Sequence, residues 1–502
     1  MTINFILNDP QAASPAMRQI EPHVARPTGR ADFRFFGEVG EGLFAPPTDG
    51  FLFWQCREAA LRAIDLWEAI DTALNTWAQN RSTLRLIQKV PNQSDLNAFY
   101  NRSSLSFFEF TTGGRSFFSG ASTDVVAHEA GHAFLDQIRP DLWDSTFLET
   151  GAFHEAFGDC IAILTALDDR ETRETLLDGG GLLRQTNFVE STAEDLSDGI
   201  RTVQPNHNAA EPRHAVNNFQ WTLPFNLPPN GGPGALINEV HSFGMLFSGC
   251  FYDLITNIFA NRSDSSEVGL AAAARTAGRL LAAAARSAPL SPRFFRAVGD
   301  AMVLADRELH GGVNEQAVTA AFNNHNIDIE VATMLAPTNV LSGRAPDVTA
   351  SRSSDILSRT SRRDLVAEIG RADGQRFSAQ PAKIGPSNIY MARHRHVVAL
   401  DDVSERLQGV VAVVEEDVLL GESDGRAAIL GGAASVVDTQ SEAKSFVHSL
   451  IENGQVAFPG EDRGKIDVAT HQVRKSDSRA VLRRRQFTCR CGHCRLPPLQ
   501  RR

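Results

Sequence analysis

Apolar residues recur at helical spacing through "FLFWQCREAALRAIDLWEAIDTALNTWAQN", residues 51–80, which predicts one long amphipathic helix or two. "STLRLIQKV" (82–90) then alternates as a half-buried strand does, and "NAFYNRSSLSFFEF" (97–110) reads as one or two more strands. Helical periods return over 122–138 and 150–168. From about 169 to 237 the chain is rich in Pro, Gly and Asn and reads as irregular. Three helices follow near 239–260, 265–288 and 291–309, the middle one Ala-rich and a strong helix former. A short helix in "NEQAVTAAFNNHNI" ends near Ile327. Residues 1–30 are polar, contain proline and read as irregular.

The texture changes after 330. Residues 331–375 are rich in Pro, Ser, Gly and Arg and read as a linker. Over 376–473, "GVVAVVEEDVLLG" and "AAILGGAASVVD" read as strands and "SEAKSFVHSLIEN" as a helix, giving an accessory α+β region. The stretch 474–502 is set apart by charge, with ten Lys or Arg against a single acid, Asp477. It carries +9 of a chain whose net charge is -11, so the first 473 residues carry about -20. That balance argues against a general nucleic-acid surface, while the basic stretch reads as a solvated, disordered tail that could bind an acidic partner.

The longest apolar run, "GMLFSGCFYDLITNIFA" (244–260), is short for a membrane span and contains Asp253. No basic start with an apolar run and cleavage site opens the sequence, so a cytoplasmic protein, or one exported by a leaderless route, is expected. Cys56, Cys160 and Cys250 are scattered in apolar contexts and read as reduced core residues.

Chemistry enters at "DVVAHEAGHAFLDQ" (124–137). On a helix, His128 and His132 lie one above the other, with Glu129 beside them. Such a pair can be a solvated helix face; it can also hold one metal ion, with Glu129 within reach of a metal-bound water. A third ligand decides between these. "ETGAFHEAFGDCIAIL" (149–164) places Glu155 and Asp159 four apart in an apolar run, where buried carboxylates need a metal, a charge or donors. If this helix packs on the first, Glu155 reaches the metal and Asp159 accepts from a ligating imidazole.

These segments resemble the thermolysin-like zinc peptidases, whose third ligand is a glutamate, over about residues 50–330. "NAFYNR" (97–102) looks like their substrate edge strand, "DVVAHEAGH" like their metal helix, and "GAFHEAFGD" like their second ligand helix, with His154 where an asparagine is usual. "NEVHSFGMLFSGCFYDL" (238–254) looks like the later helix of the catalytic histidine, in the style of the fungalysins. The resemblance implies an α+β catalytic domain of two lobes, a strand-rich one (31–138) that includes the metal helix and a helical one (139–330). It implies one zinc ion on His128, His132 and Glu155, Glu129 as general base and His241 as the donor to the developing oxyanion. It implies Asn97, the Ala98 backbone and Arg201 as binders of an extended peptide or protein substrate.

Several departures are visible. The family's loop tyrosine is missing: Tyr100, Tyr252 and Tyr390 all lie elsewhere, and Trp143 or Phe147 stands in that region. Leu236 stands where an aspartate orients the family's histidine, and Glu239 is the nearer acid. Asp124 matches one member of the family's paired calcium site but Ala166 replaces a glutamate, so that calcium site is not expected. "CRCGHC" (489–494) offers Cys489, Cys491, His493 and Cys494 as soft ligands or reactive thiols, although so tight a spacing cannot easily close a tetrahedron. Two functions remain open: a zinc endopeptidase, and a catalytically weak peptide-binding scaffold on the same fold. Glu129 favours the first, since a glutamate that does not ligate has no structural use beside a zinc.

Overall fold

The computed structural model describes residues 2–12, 16–178, 182–329, 377–384, 387–423, 426–431, 436–461, 469–476 and 479–489. The linker 331–375 and the residues Cys491, His493 and Cys494 lie outside them.

The architecture is α+β. Strands β1 (Ile3–Phe5) and β2 (Arg18–Ile20) pair antiparallel, so part of the polar N-terminal stretch is ordered. β3 (Asp32–Phe35) precedes α1 (Asp49–Ile70), whose first turn is capped by the Thr48 side chain. α1 is one helix, and it ends at Asp71, short of the apolar period that runs on to residue 80. There follow β4 (Thr83–Ile87), β5 (Ala98–Tyr100), β6 (Ser104–Phe107) and a hairpin of β7 (Glu109–Thr112) and β8 (Arg115–Phe118). α2 (Thr123–Ile138) and α3 (Leu148–Asp168) come next. The stretch expected to be irregular contains α4 (Arg170–Asp178), β9 (Ser191–Thr192), α5 (Glu194–Val203) and β10 (Arg213–His214). Its two helices are largely charged, with narrow apolar faces, which is why their period is faint in the sequence. The remaining helices of the first 330 residues are α6 (Val240–Ala260), α7 (Glu267–Ser287), α8 (Phe294–His310) and α9 (Glu315–Asn323), within a few residues of expectation.

α2 and α3 form the centre. Every α3 residue except Asp168 is buried, as is α2 from Thr123 to Asp136. The two helices meet through glycines: a methyl group on Gly131 would stand 2.8 Å from the Gly158 Cα. A helix buried all round brings its polar side chains into the core, where they must find partners. α6 is the one described helix long and apolar enough to cross a membrane, and 78% of its apolar window is buried inside the protein.

The C-terminal region is built from β11 (Phe377–Ile384), β12 (Ser387–Ala399), β13 (Val410–Ser423), β14 (Arg426–Gly431), α10 (Val436–Glu452), β15 (Val456–Ala457), β16 (His471–Ser476) and β17 (Arg479–Arg484). Its strands make one seven-stranded sheet. The boundary expected at 473/474 therefore falls inside β16, and the basic stretch as far as Arg484 belongs to this sheet rather than to a solvated tail. The region is tied to the helices by Asp417, which exchanges hydrogen bonds with Leu290, and by Arg393, which pairs with both Asp417 and Asp141. Beyond β17 the chain leaves that sheet. β18 (Phe487–Thr488) pairs antiparallel with β5 and becomes the edge of the five-stranded sheet β18-β5-β6-β4-β3.

Candidate metal centre

Ser122 caps α2, and about two and three turns on the helix presents His128 and His132 side by side, their rings 4.6 Å apart and nearly perpendicular. α3 crosses at Gly158, where a methyl group would stand 2.6 Å from the His128 ring. The missing side chain is what admits the imidazole. The crossing brings Glu155 Oε2 to 3.3 Å from His128 Nε2 and 3.5 Å from His132 Nε2. These three atoms and both Glu129 carboxylate oxygens are buried without a hydrogen-bond partner among the described residues. Ligand atoms bound at ~2.0–2.1 Å in a tetrahedron lie about 3.3–3.4 Å apart, so the donor set fits a zinc-sized ion.

The far sides of the rings are held. His128 Nδ1 is 2.8 Å from Asp159, and Arg213 from β10 grips the same carboxylate at 2.8 Å. His132 Nδ1 is 2.8 Å from His154 Nδ1, so a histidine fills the place of the expected amide. These bonds fix ring orientation, as partners of metal-ligating histidines do. Burial opposes charge on His128, but Asp159 and Glu155 outweigh it and hold its pKa up at about 9. Burial pushes His132 down to about 4. It also raises Glu155, yet His241 and His132 beside it pull that carboxyl well below its usual range. Burial, with the Glu155 charge adding, pushes Glu129 up to about 8.

His241, in the first turn of α6, points its Nε2 at the same centre, 3.2 Å from Glu155 Oε2. Glu239 caps α6 through the N–H groups of His241 and Ser242, and its other oxygen is 2.8 Å from His241 Nδ1. Glu239 thus stands where the missing aspartate was expected. Tyr100 donates to Asp136 and Tyr252 bonds Asn187, so neither hydroxyl serves the centre. Trp143 donates to the Arg484 carbonyl and Phe147 is buried.

Ala98 turns its carbonyl outward from the edge of β5, while the Asn97 side chain accepts from the Ala98 N–H. Arg201 does not join them: it is half exposed and bonds the Ala210 carbonyl and Asp198. The arginine at the centre is Arg213, which the sequence reading missed because a lone residue in a proline-containing loop carries no period. Arg213 Nη1 donates to the Cys489 carbonyl at 3.1 Å.

That last contact is to the residue after β18, which lies along β5. The Cys489 N–H donates to the Ala98 carbonyl at 2.9 Å, and the Thr488 carbonyl lies 2.5 Å from His241 Nε2. The Phe487 ring stacks 3.7 Å from the His154 ring and 4.8 Å from that of His132, and the Arg484 guanidinium lies 4.1 Å from its centroid. Burial pushes the Cys489 thiol up to about 12, so it is protonated at neutral pH. Cys56, Cys160 and Cys250 are free and buried, as expected.

A second group of acids, Asp9, Asp124 and Glu194, gathers oxygens within 4.8 Å of one another from three separate segments. Arg474, Lys475, Arg483 and Arg485 share an open groove with Arg81 and Arg102. Comparison with models of known protein families gave no match, and comparison with curated proteins gave none.

Proposed function

We propose that the chain is a zinc-dependent endopeptidase with the two-lobed arrangement of the thermolysin-like enzymes. The observation that carries the reading is the convergence of three unpartnered, buried ligand atoms, on His128, His132 and Glu155, beside the unpartnered carboxylate of Glu129. A zinc ion held by those three residues would supply Lewis acidity, acidifying water and polarising a carbonyl.

The chain's own groups perform the rest. Glu129, with a carboxyl of raised proton affinity, takes a proton from water and passes it to the leaving amine. His241, oriented by the contact of its Nδ1 with Glu239, turns Nε2 toward the carbonyl oxygen and donates to it as charge builds there. Ala98 accepts an N–H from an extended substrate, and Arg213 donates to the next carbonyl along. These side chains are buried, which strengthens each of these interactions.

A peptide-binding scaffold is the second reading. It is favoured by the engagement of the Tyr100 and Tyr252 hydroxyls away from the centre and by an extended segment already seated on β5. Zinc content and quenched-peptide hydrolysis, measured together for the wild type and Glu129→Gln, separate the two. Bound zinc in both, with cleavage by the wild type alone, supports the peptidase. Bound zinc with no cleavage by either overturns it.

A further inference from the structure

β18 and Cys489 occupy the cleft as an added strand, with Phe487 opposite Tyr100 and Thr488 opposite Phe99. The contacts flank one peptide bond. On its N-terminal side, the Thr488 carbonyl meets His241 Nε2 at 2.5 Å, and the ring of Phe487 stacks on His154. On its C-terminal side, the Cys489 N–H is held by the Ala98 carbonyl and the Cys489 carbonyl by Arg213. The Cys489 side chain is buried against Arg213, 3.7 Å from its Nη2. So the donor assigned to a reacting carbonyl already touches a carbonyl, and the edge assigned to a substrate amide already accepts from the next one.

We infer that the Thr488–Cys489 peptide bond is a cleavage site for the chain's own centre, an inference that rests on the peptidase reading above. The step is a hydrolysis. The water oxygen bonds to the Thr488 carbonyl carbon and the C–N bond breaks. The electron pair stays on the Cys489 nitrogen, which receives the proton carried by Glu129. The products are a carboxylate on Thr488 and an amino group on Cys489, and water is the one co-reactant. Because bond and centre share one chain, no encounter is required, and the rate per molecule does not depend on concentration. Cleavage frees the residues from Cys489 onward and opens the edge of β5 to other peptides. Until it occurs, the same contacts keep such peptides out.

The full zinc-loaded chain is followed over time by mass spectrometry and N-terminal labelling, while quenched-peptide hydrolysis is read in the same samples. The expected result is a new N-terminus at Cys489, appearing at a rate unchanged by tenfold dilution. Peptide hydrolysis rises several-fold as it appears. Glu129→Gln forms no such terminus. In that variant, the Cys489 amide hydrogen exchanges at least about 100-fold more slowly than in an unstructured chain, because it is paired. Peptide hydrolysis with an intact Thr488–Cys489 bond overturns the inference and leaves the peptidase standing. A freely exchanging Cys489 amide overturns the inference whatever the activity. Loss of both cleavages in zinc-loaded protein overturns the peptidase reading itself.

Discussion

Gly131 of α2 rests on Gly158 of α3, and neither helix has room for a methyl group at the crossing. The pair sets the distance between the helix that carries His128 and His132 and the helix that carries Glu155. Gly131→Ala improves intrinsic helix propensity by about 1 kcal/mol. It also drives a carbon to 2.8 Å from backbone that cannot yield, and overpacking of this kind costs roughly 1–3 kcal/mol. A lower thermal midpoint is expected, with weaker metal binding because Glu155 is displaced. Calorimetry and a zinc titration check both; a raised midpoint with unchanged zinc affinity would show that the crossing does not set the site.

Asp159 orients His128 and neutralises the half-buried Arg213. Asp159→Asn keeps the shape and loses the charge. Zinc affinity is expected to fall by about 10–100-fold, the usual effect of losing a ligand's hydrogen-bond partner. Competition against a chelator measures it. Asp159→Ala also removes the carboxylate that pairs with the half-buried Arg213, and stability falls as well.

In the proposed mechanism, His241→Phe removes the donor to the carbonyl without touching the three residues proposed to hold the zinc. A drop of about 10²–10³-fold in kcat is expected, with zinc content unchanged and KM moved much less. Steady-state kinetics beside metal analysis separates this from a folding defect. Glu239→Gln retains a capping oxygen for α6, so its loss in kcat is smaller and α6 stays formed.

Stability carries a pH signature away from the centre. His23 lies between Asp65 and Glu58 of α1, and Arg57 donates to its backbone carbonyl. The hydrogen bonds to Asp65 and Glu58 outweigh burial and raise His23 to about 9. A raised histidine stabilises fully below its unfolded pKa near 6.5, and that contribution fades as pH rises toward 9. The site is partly exposed, so the contribution is on the order of 1–2 kcal/mol. Denaturant midpoints of the wild type and His23→Gln should differ at pH 6 and converge near pH 9. A constant gap would rule the linkage out.

Local periods made much of this legible. α2, α3 and α6 were readable because each repeats apolar residues every three or four positions, and their polar residues stood out against that background. His128, Glu129, His132, Glu155, Asp159 and His241 meet at one place in the structure. What failed depended on partners far away in sequence. α4 and α5 have charged surfaces and narrow apolar faces, so composition hid them. Arg201 and Arg213 lie in a stretch whose sequence reads as irregular, yet the first falls in α5 and only the path of β10 puts the second beside Asp159. Nothing local in "RRRQFTC" marks it as a strand, because its partner β5 is almost 400 residues earlier in the chain. Its high positive charge read as solvated, yet Arg484 is buried over Phe487, and burial pushes its guanidinium down to about 10.

β18 follows, in chain order, every element it docks against. The ribosome therefore finishes β5, α2, α3 and α6 before the strand that covers them has left the exit tunnel. A covering segment at the front of a chain would be in place from the first moment of folding; β18 arrives after the helices have emerged. In the cell, the interval between those two events is set by translation speed over residues 261–489, so slow codons there would lengthen the time the nascent chain spends with its cleft uncovered.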